Sequence, residues 1–547
     1  MAVIHRRRRG ASAVLLVLAL ACARRDAPHG LGRRIAEGAV LSLRASPDGA
    51  YLAYLHRCRP VKDRTLPPGT ASCDLAVVPV GGGASRHMAS GVTTLSPGFG
   101  WSAAGHALAG LADYDHAEGR GALVVWSGDG PRPVAEGVSF YALDRAGARV
   151  GWVAEGQLFL APVKGAATEP VAGAERVSTF EFGGTEGVQL LARRSARAGG
   201  TLLAVRDHSA APLAAGVRDY GFSRDGARYA FTSGTPPTLV AATAEASRPA
   251  SPLGRGVQSF LFSPRGDAIA FVADAAPGRQ GDLWVALLAG GAPLRLAPRV
   301  GELRWAALGT RLAWLQDYDP RSRTGTLAVG GPAVKAVAIA KHVSDFDLTP
   351  SGTSVAYLMH ETAGGYSVDL GLARAGEGSL PATVSKGVFG FAFSPDARWL
   401  YYRTACIRDA EACDLMRVPA SADAASLARE DGKTGRALAS APLDSAAPHS
   451  GPPEPTGGLP PGARPERVGE GVKSFDFAPG RPDRLLVSWA RKDRVALDLA
   501  LWEGGKLSAI DTYALPGSAQ FLGGDPRRIA YAVIDAKRQG VYVAEMP

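Results

Sequence analysis

The chain has 547 residues, more than one ordinary domain of about 100–200 requires. With 46% hydrophobic and 20% charged residues it can bury a large core, and its 68 glycines and 39 prolines suit an all-β chain with dozens of turns. The net charge of +10 falls to +6 once the four arginines of residues 1–21 are set aside, and the longest basic cluster lies among those four, which excludes a nucleic-acid footprint and leaves only a weak preference for anionic lipid or polysaccharide.

The first stretch reads as a targeting segment. Arg6 to Arg9 are basic, and Ala11 to Ala21 is an uncharged apolar run too short to span a bilayer. It ends Ala19-Leu20-Ala21-Cys22, which resembles a bacterial lipobox with Cys22 as the acylated residue. Ala19 stands where a lipobox usually carries leucine, so plain signal-peptide cleavage is the alternative. Residues 1–21 are assigned to the signal peptide and residues 22–30 to a lipid tether.

One phrase then organises the chain. It opens near Val40, Val92, Val138, Val177, Val217, Val257, Val300, Val343, Val388, Val472 and Ser518, giving eleven units. In its clearest copy, Phe260 and Phe262 share one strand face, because side chains alternate at period two. Ser263-Pro264-Arg265-Gly266 follows as a type I turn, then three further short strand patterns at Ala268–Ala273, Leu283–Ala286 and Leu294–Leu296. The turn recurs as Ser46-Pro47-Asp48-Gly49, Ser223-Arg224-Asp225-Gly226 and Ser394-Pro395-Asp396-Ala397. The opening dipeptide Gly-Val recurs at residues 91, 137, 216, 256, 387 and 471. Most spacings are 39–52 residues, with four strands in each, the mark of propeller blades. The exception, 84 residues between Val388 and Val472, contains a low-complexity insertion at 420–466 with a Pro/Gly-rich run from Pro448 to Pro465. That insertion is either an exposed binding loop or a tolerated spacer.

The F-x-F-S-P-D-G phrase followed by L-A-Y or I-A-F resembles the TolB-like propeller repeat and the propeller domains of prolyl oligopeptidase-type peptidases over residues 30–547. The resemblance implies an all-β fold of four-stranded antiparallel blades and a role in the cell envelope. TolB carries a small α/β domain before its propeller, for which this chain has no room. Gly-His and Trp-Asp pairs of typical WD repeats are missing.

Eleven units exceed the usual four to eight blades of one ring, so two propellers are expected, as residues 31–256 and 257–547. Arg33 to Gly38 resembles the fourth-strand segment Arg132 to Gly137, whereas the last unit stops after a third strand, Val541 to Val543. The N-terminal strand therefore closes either the last unit or an earlier one.

Five cysteines fit an exported chain. Cys58 and Cys73 bracket the link between second and third strands of unit one, and Cys406 and Cys413 the same link of unit nine. Both second cysteines precede Asp-Leu, so the positions correspond and each pair faces across a hairpin within disulfide reach. Cys22 is the odd one, consumed by lipidation. Disulfides imply an oxidising compartment, the periplasm or cell surface.

No Gly-x-Ser-x-Gly elbow, close histidine ligand pair, CxxC or phosphate loop is present, and no cofactor is expected. Asp113-Tyr114-Asp115 and Asp317-Tyr318-Asp319 are weak candidates for a calcium site, the plainer reading being turns whose carboxylates accept backbone hydrogen bonds. Trp101, Trp152, Trp284, Trp305, Trp314 and Trp399 read as fillers between blades. The expectation is a non-catalytic, lipid-anchored scaffold that binds an envelope protein or an extracellular peptide or glycan, with its ligand-binding residues unknown. The alternative is a periplasmic propeller enzyme acting on glycan or peptide at the channel mouth, where Asp219, Glu302, Arg304, Asp345 and Asp476 start inner strands.

Overall fold

The computed structural model describes residues 30–547 except 97, 166–167, 185–188, 195–199, 207, 246–251, 275–279, 310, 361–367, 377–381, 408–411, 421–464 and 492–494. The expected signal peptide (residues 1–21), Cys22 and nearly all of the insertion lie outside the described residues. Every described element is a strand, and all strand ladders are antiparallel. The expected propeller plan of eleven four-stranded units is what the chain adopts. Unit six shows it most simply, with Ser259–Phe262, Ala268–Ala273, Asp282–Leu287 and Leu294–Ala297 hydrogen-bonded in that order.

The recurring phrase has a physical cause at each step. The buried serine of the turn is a cap. Ser46 Oγ donates to Asp48 at 2.5 Å and accepts from the Tyr51 amide at 3.0 Å, and Ser223 and Ser394 do the same in their units. Ser46, Ser223, Ser263 and Ser394 are buried because this bonding satisfies them. The glycine of Gly-Val is set by backbone geometry. The residue before the opening valine has φ between 49° and 69° in units two to ten. There the fourth strand of one unit bends into the first strand of the next, as within the continuous strands Pro131–Leu143, Ser209–Phe222 and Glu466–Ala478. Glycine enters this left-handed region freely. Arg176, Arg299 and His342 adopt it without that freedom. The valine that follows is fully buried, so the bend delivers one apolar anchor per unit into the core.

That core is divided into eleven clusters, each lying between two units adjacent in the chain. Ala230 and Leu239 of unit five pack on Val257 and Ile269 of unit six, and the cluster at the expected 256/257 division is as well formed as its neighbours. The eleventh cluster joins last unit to first, Ala530 and Val541 packing on Leu52 and Val78. Among the described residues the eleven clusters join each unit to the next in the chain and the last unit to the first.

Closure comes from the N-terminus, on the last unit rather than an earlier one. Arg33–Glu37 pairs antiparallel with Gly540–Glu545 as the missing fourth strand of unit eleven. Its lead-in crosses the buried carboxylate of Asp511. Arg538 grips that carboxylate through both oxygens at 2.5 and 2.7 Å, and the Tyr531 hydroxyl donates to it at 2.8 Å. A side chain at Gly30 would strike Asp511 and one at Gly32 would strike the Tyr531 hydroxyl, each at 2.0 Å.

Two predictions follow from this geometry. Arg538→Met leaves the Asp511 carboxylate, whose side chain is 0% exposed, without its cation; stability falls by about 3 kcal/mol, read as a lower urea midpoint. Gly91 and Gly137 share the left-handed conformation, but a Cβ at Gly91 would meet the Asp113 backbone at 2.7 Å whereas one at Gly137 meets nothing within 4 Å. Gly137→Ala should cost about 1 kcal/mol from backbone strain alone, and Gly91→Ala distinctly more. Equal midpoints for the two variants would contradict this account.

Candidate functional site

The antiparallel plan gives the propeller two faces. One carries the turns after the first strands and the links between third and fourth strands. The other carries the links between second and third strands and the starts of the inner strands.

On the first face, the inner ends of units two to five leave a cleft of about 880 Å³. Its wall is aromatic. Phe180 packs edge-on against Phe140 and Phe182, with centroids at 5.1 and 5.7 Å. Tyr141 is buried behind them, its hydroxyl donating to the Ala109 carbonyl at 3.1 Å, and burial pushes that hydroxyl's pKa well up. Close approach of units four and five depends on glycine. A Cβ at Gly183 would lie 2.3 Å from the Phe222 ring and one at Gly226 would lie 2.5 Å from the Gly184 amide.

The rim is charged with both signs. Arg145 and Arg224 are exposed turn residues, and Glu181 and Asp225 stand beside them. Arg149 is held in place, donating to Gln189 at 2.9 Å and lying over the Phe182 ring at 5.7 Å. Asp144 takes the place that serine holds in other turns, accepting from the Ala148 and Arg149 amides at 2.8 and 3.1 Å. Burial raises the pKa of Glu181, with a smaller contribution from Asp219, while Ser223 and the Ala227 amide hold Asp225 low. The cleft thus offers a rigid apolar wall and fixed charges. No sequence motif marks it, because its residues come from four units; only the aromatic F-x-F pairs of the repeat could have hinted at it.

The expected channel residues are partly brought together. Arg304 of unit seven bonds Asp345 of unit eight at 2.9 Å, lies 3.8 Å from Glu302 and donates to the Phe346 carbonyl. Asp219 belongs to unit five and Asp476 to unit ten, away from this group. Burial raises the carboxyl pKa of Asp476 and, despite Arg304, that of Asp347.

The two Asp-Tyr-Asp segments are explained by a shared bulge. Asp113 and Asp317 have φ of 46° and 52°, where the ladder slips after the second strand, and Arg57 and Ala405 occupy the same place in the disulfide-bearing units. Asp tolerates this conformation better than most residues. Asp115 accepts from the Ala117 and Glu118 amides at 2.9 and 3.2 Å, and Asp319 from Arg321 and Ser322. Asp317 pairs with Arg299. Asp115 and Asp319 thus cap their turns, and Asp317 has a cation partner. Cys58–Cys73 and Cys406–Cys413 form disulfides directly after the bulge, with Cα atoms 4.0 Å apart in each. Trp152 and Trp314 are fully buried. Trp101 and Trp305 donate across blades to the Arg44 and Leu261 carbonyls at 3.2 and 3.3 Å. One group that sequence spacing did not reveal, His56 with Asp74 and His87, converges at the edge of unit one.

No family model matches the chain and no curated protein matches it. Solved structures do. A eukaryotic initiation factor is 12% identical with a TM-score of 0.40, over 72% of this chain and 93% of that one. The Dos1 propeller is 9% identical with a TM-score of 0.34, over 60% and 91%. The Cps50 (Swd1) β-propeller domain of Myceliophteria thermophila is 13% identical with a TM-score of 0.27, over 52% and 96%.

The raised carboxyl of Asp476 gives a signed expectation. A carboxyl whose pKa is higher in the folded chain binds its proton more tightly there, so it favours folding at low pH and loses that contribution as pH rises through its folded value. Asp476→Asn should therefore raise the unfolding temperature at pH 7 and leave it unchanged near pH 3. A variant that is destabilised at pH 7 would show that the ionised carboxylate has a partner it needs.

Proposed function

We propose that the protein is a scaffold that binds an extended peptide segment of a protein partner in the cleft between units two and five. The observation that carries this reading is the cleft itself, a preformed aromatic wall with arginines and carboxylates fixed at its rim. Aromatic and arginine side chains are the usual anchors of protein interfaces, and a rigid site loses little entropy on binding. Stacked blades supply the rigidity, since each unit is packed on both sides.

The setting we propose is the bacterial cell envelope. The lipobox-like Ala19-Leu20-Ala21-Cys22, the TolB-like repeat phrase and two disulfides support an exported chain held to a membrane through Cys22. The strand that follows the tether starts on the face that carries the cleft, and the insertion leaves the fold from that face too, between Pro419 and Glu466.

The test is a paired capture from solubilised envelope. Tagged mature protein should retain one stoichiometric protein partner, and the double variant Arg145→Glu, Arg224→Glu should lose at least tenfold of it while keeping its unfolding temperature. Full retention by that variant would move the contact away from the cleft. Capture of nothing, with turnover of a glycan or peptide library instead, would overturn the scaffold reading.

A further inference from the structure

His56, Asp74 and His87 lie 31 residues apart end to end and show no ligand spacing in sequence. The ladder of unit one assembles them. His56 and Asp74 are direct cross-strand partners on the second and third strands, and His87 enters from the fourth. The fourth strand slips on either side of Leu75, which lets His87 pair with Ala76, two residues from Asp74 on the same strand face. One ligand atom from each residue lies within 4.8 Å of the other two. Donors around a tetrahedral zinc stand roughly 3.4 Å apart, given zinc–nitrogen bonds of about 2.0–2.1 Å, so rotation of the exposed His87 covers the difference.

One further observation separates this group from an ordinary polar edge. His56 Nε2 is buried and has no hydrogen-bond partner, and a carboxylate and a second imidazole each place a ligand atom within 4.8 Å of a ring nitrogen of His56. A buried polar atom left unpaired calls for a partner. A neutral imidazole offers a lone pair, which is what a metal ligand needs. Arg57 reaches Asp74 only at 3.8 Å and is 79% exposed, so it does not occupy the carboxylate tightly. Ser90 stands 3.3 Å from His87 Nε2, able to orient that ring.

We propose that His56, Asp74 and His87 bind a divalent ion of the zinc class. Two imidazoles with one carboxylate suit zinc and its transition-metal neighbours, whereas calcium and magnesium require oxygen ligands throughout. Three protein ligands leave a fourth position open on the side of exposed His87. The neighbouring cysteines contribute nothing, since Cys58 and Cys73 are joined to each other. The site lies at the edge of unit one, outside the cleft that units two to five line, and stands or falls independently of the peptide reading.

Titration of chelator-stripped mature protein, carrying no polyhistidine tag, with zinc chloride in a calorimeter tests the proposal. One ion should bind per chain with micromolar or lower Kd, and Co²⁺ in its place should give the intense visible absorption of a four-coordinate site. His87→Ala and Asp74→Asn should each weaken binding at least tenfold, and His208→Ala should not. His87 is exposed, so its variant keeps the metal-free unfolding temperature and any loss reports on ligation. Absence of a stoichiometric ion in the wild type, or undiminished affinity in both variants, overturns the proposal.

Discussion

Closure of the circuit is the constraint on which the rest depends. A four-stranded blade buries neither of its faces alone, and each of the eleven clusters needs a partner blade on the far side. Ten of those interfaces form between units that follow one another in the chain. The eleventh requires the two ends of a 547-residue chain to meet. Arg33–Glu37 supplies this by hydrogen-bonding to Gly540–Glu545 as the fourth strand of the last unit. The Asp511–Arg538–Tyr531 group holds the lead-in in place. It is a buried ion pair, so its net stabilisation is modest, yet only Gly30 and Gly32 can pass over it, and this fixes where the first strand must lie.

Much of this was legible in sequence because the repeat is written in backbone requirements. Ser-x-Asp-Gly marks a capped turn, and Gly-Val marks a left-handed bend followed by a buried anchor. Both reappear wherever the geometry does, so unit count, strand order and the pairing of Cys58 with Cys73 could be read directly. Arg176, Arg299 and His342 show the limit of such reading: the bend persists without glycine, and the neighbouring packing imposes it. The complementarity of the two chain ends was legible as well, but the choice of partner unit was not, because any unit lacking a fourth strand could accept Arg33–Glu37.

The sites were far less legible, for a reason of topology. Propeller surfaces are assembled across blades, and residues that meet there are 40 or more positions apart. Arg304 and Asp345 are 41 apart and meet because they open neighbouring inner strands. The cleft draws on units two to five and leaves no local motif. Even within one blade, His87 reaches Asp74 only because the fourth strand slips beside Leu75. The disulfide register did contain a clue. Placing Cys58 opposite Cys73 brings His56 within one position of Asp74, since an unbroken ladder would set it against Leu75, and the bulge between His56 and Arg59 completes the pairing.

The same bulge at the end of the second strand serves different ends in different units, and this argues for where function accumulates. In units one and nine it is followed by a disulfide; in units two and seven it holds an Asp-Tyr-Asp turn with its own hydrogen bonds. A bulge leaves backbone unpaired and re-aims the side chains on either side of it. Evolution can therefore vary the residues beside it without disturbing the buried valines that hold the blades together. Unit one places a disulfide, a carboxylate and a buried imidazole nitrogen without a hydrogen-bond partner beside its bulge. A rigid neighbour on each side is what lets an unsatisfied nitrogen such as His56 Nε2 persist instead of relaxing toward solvent.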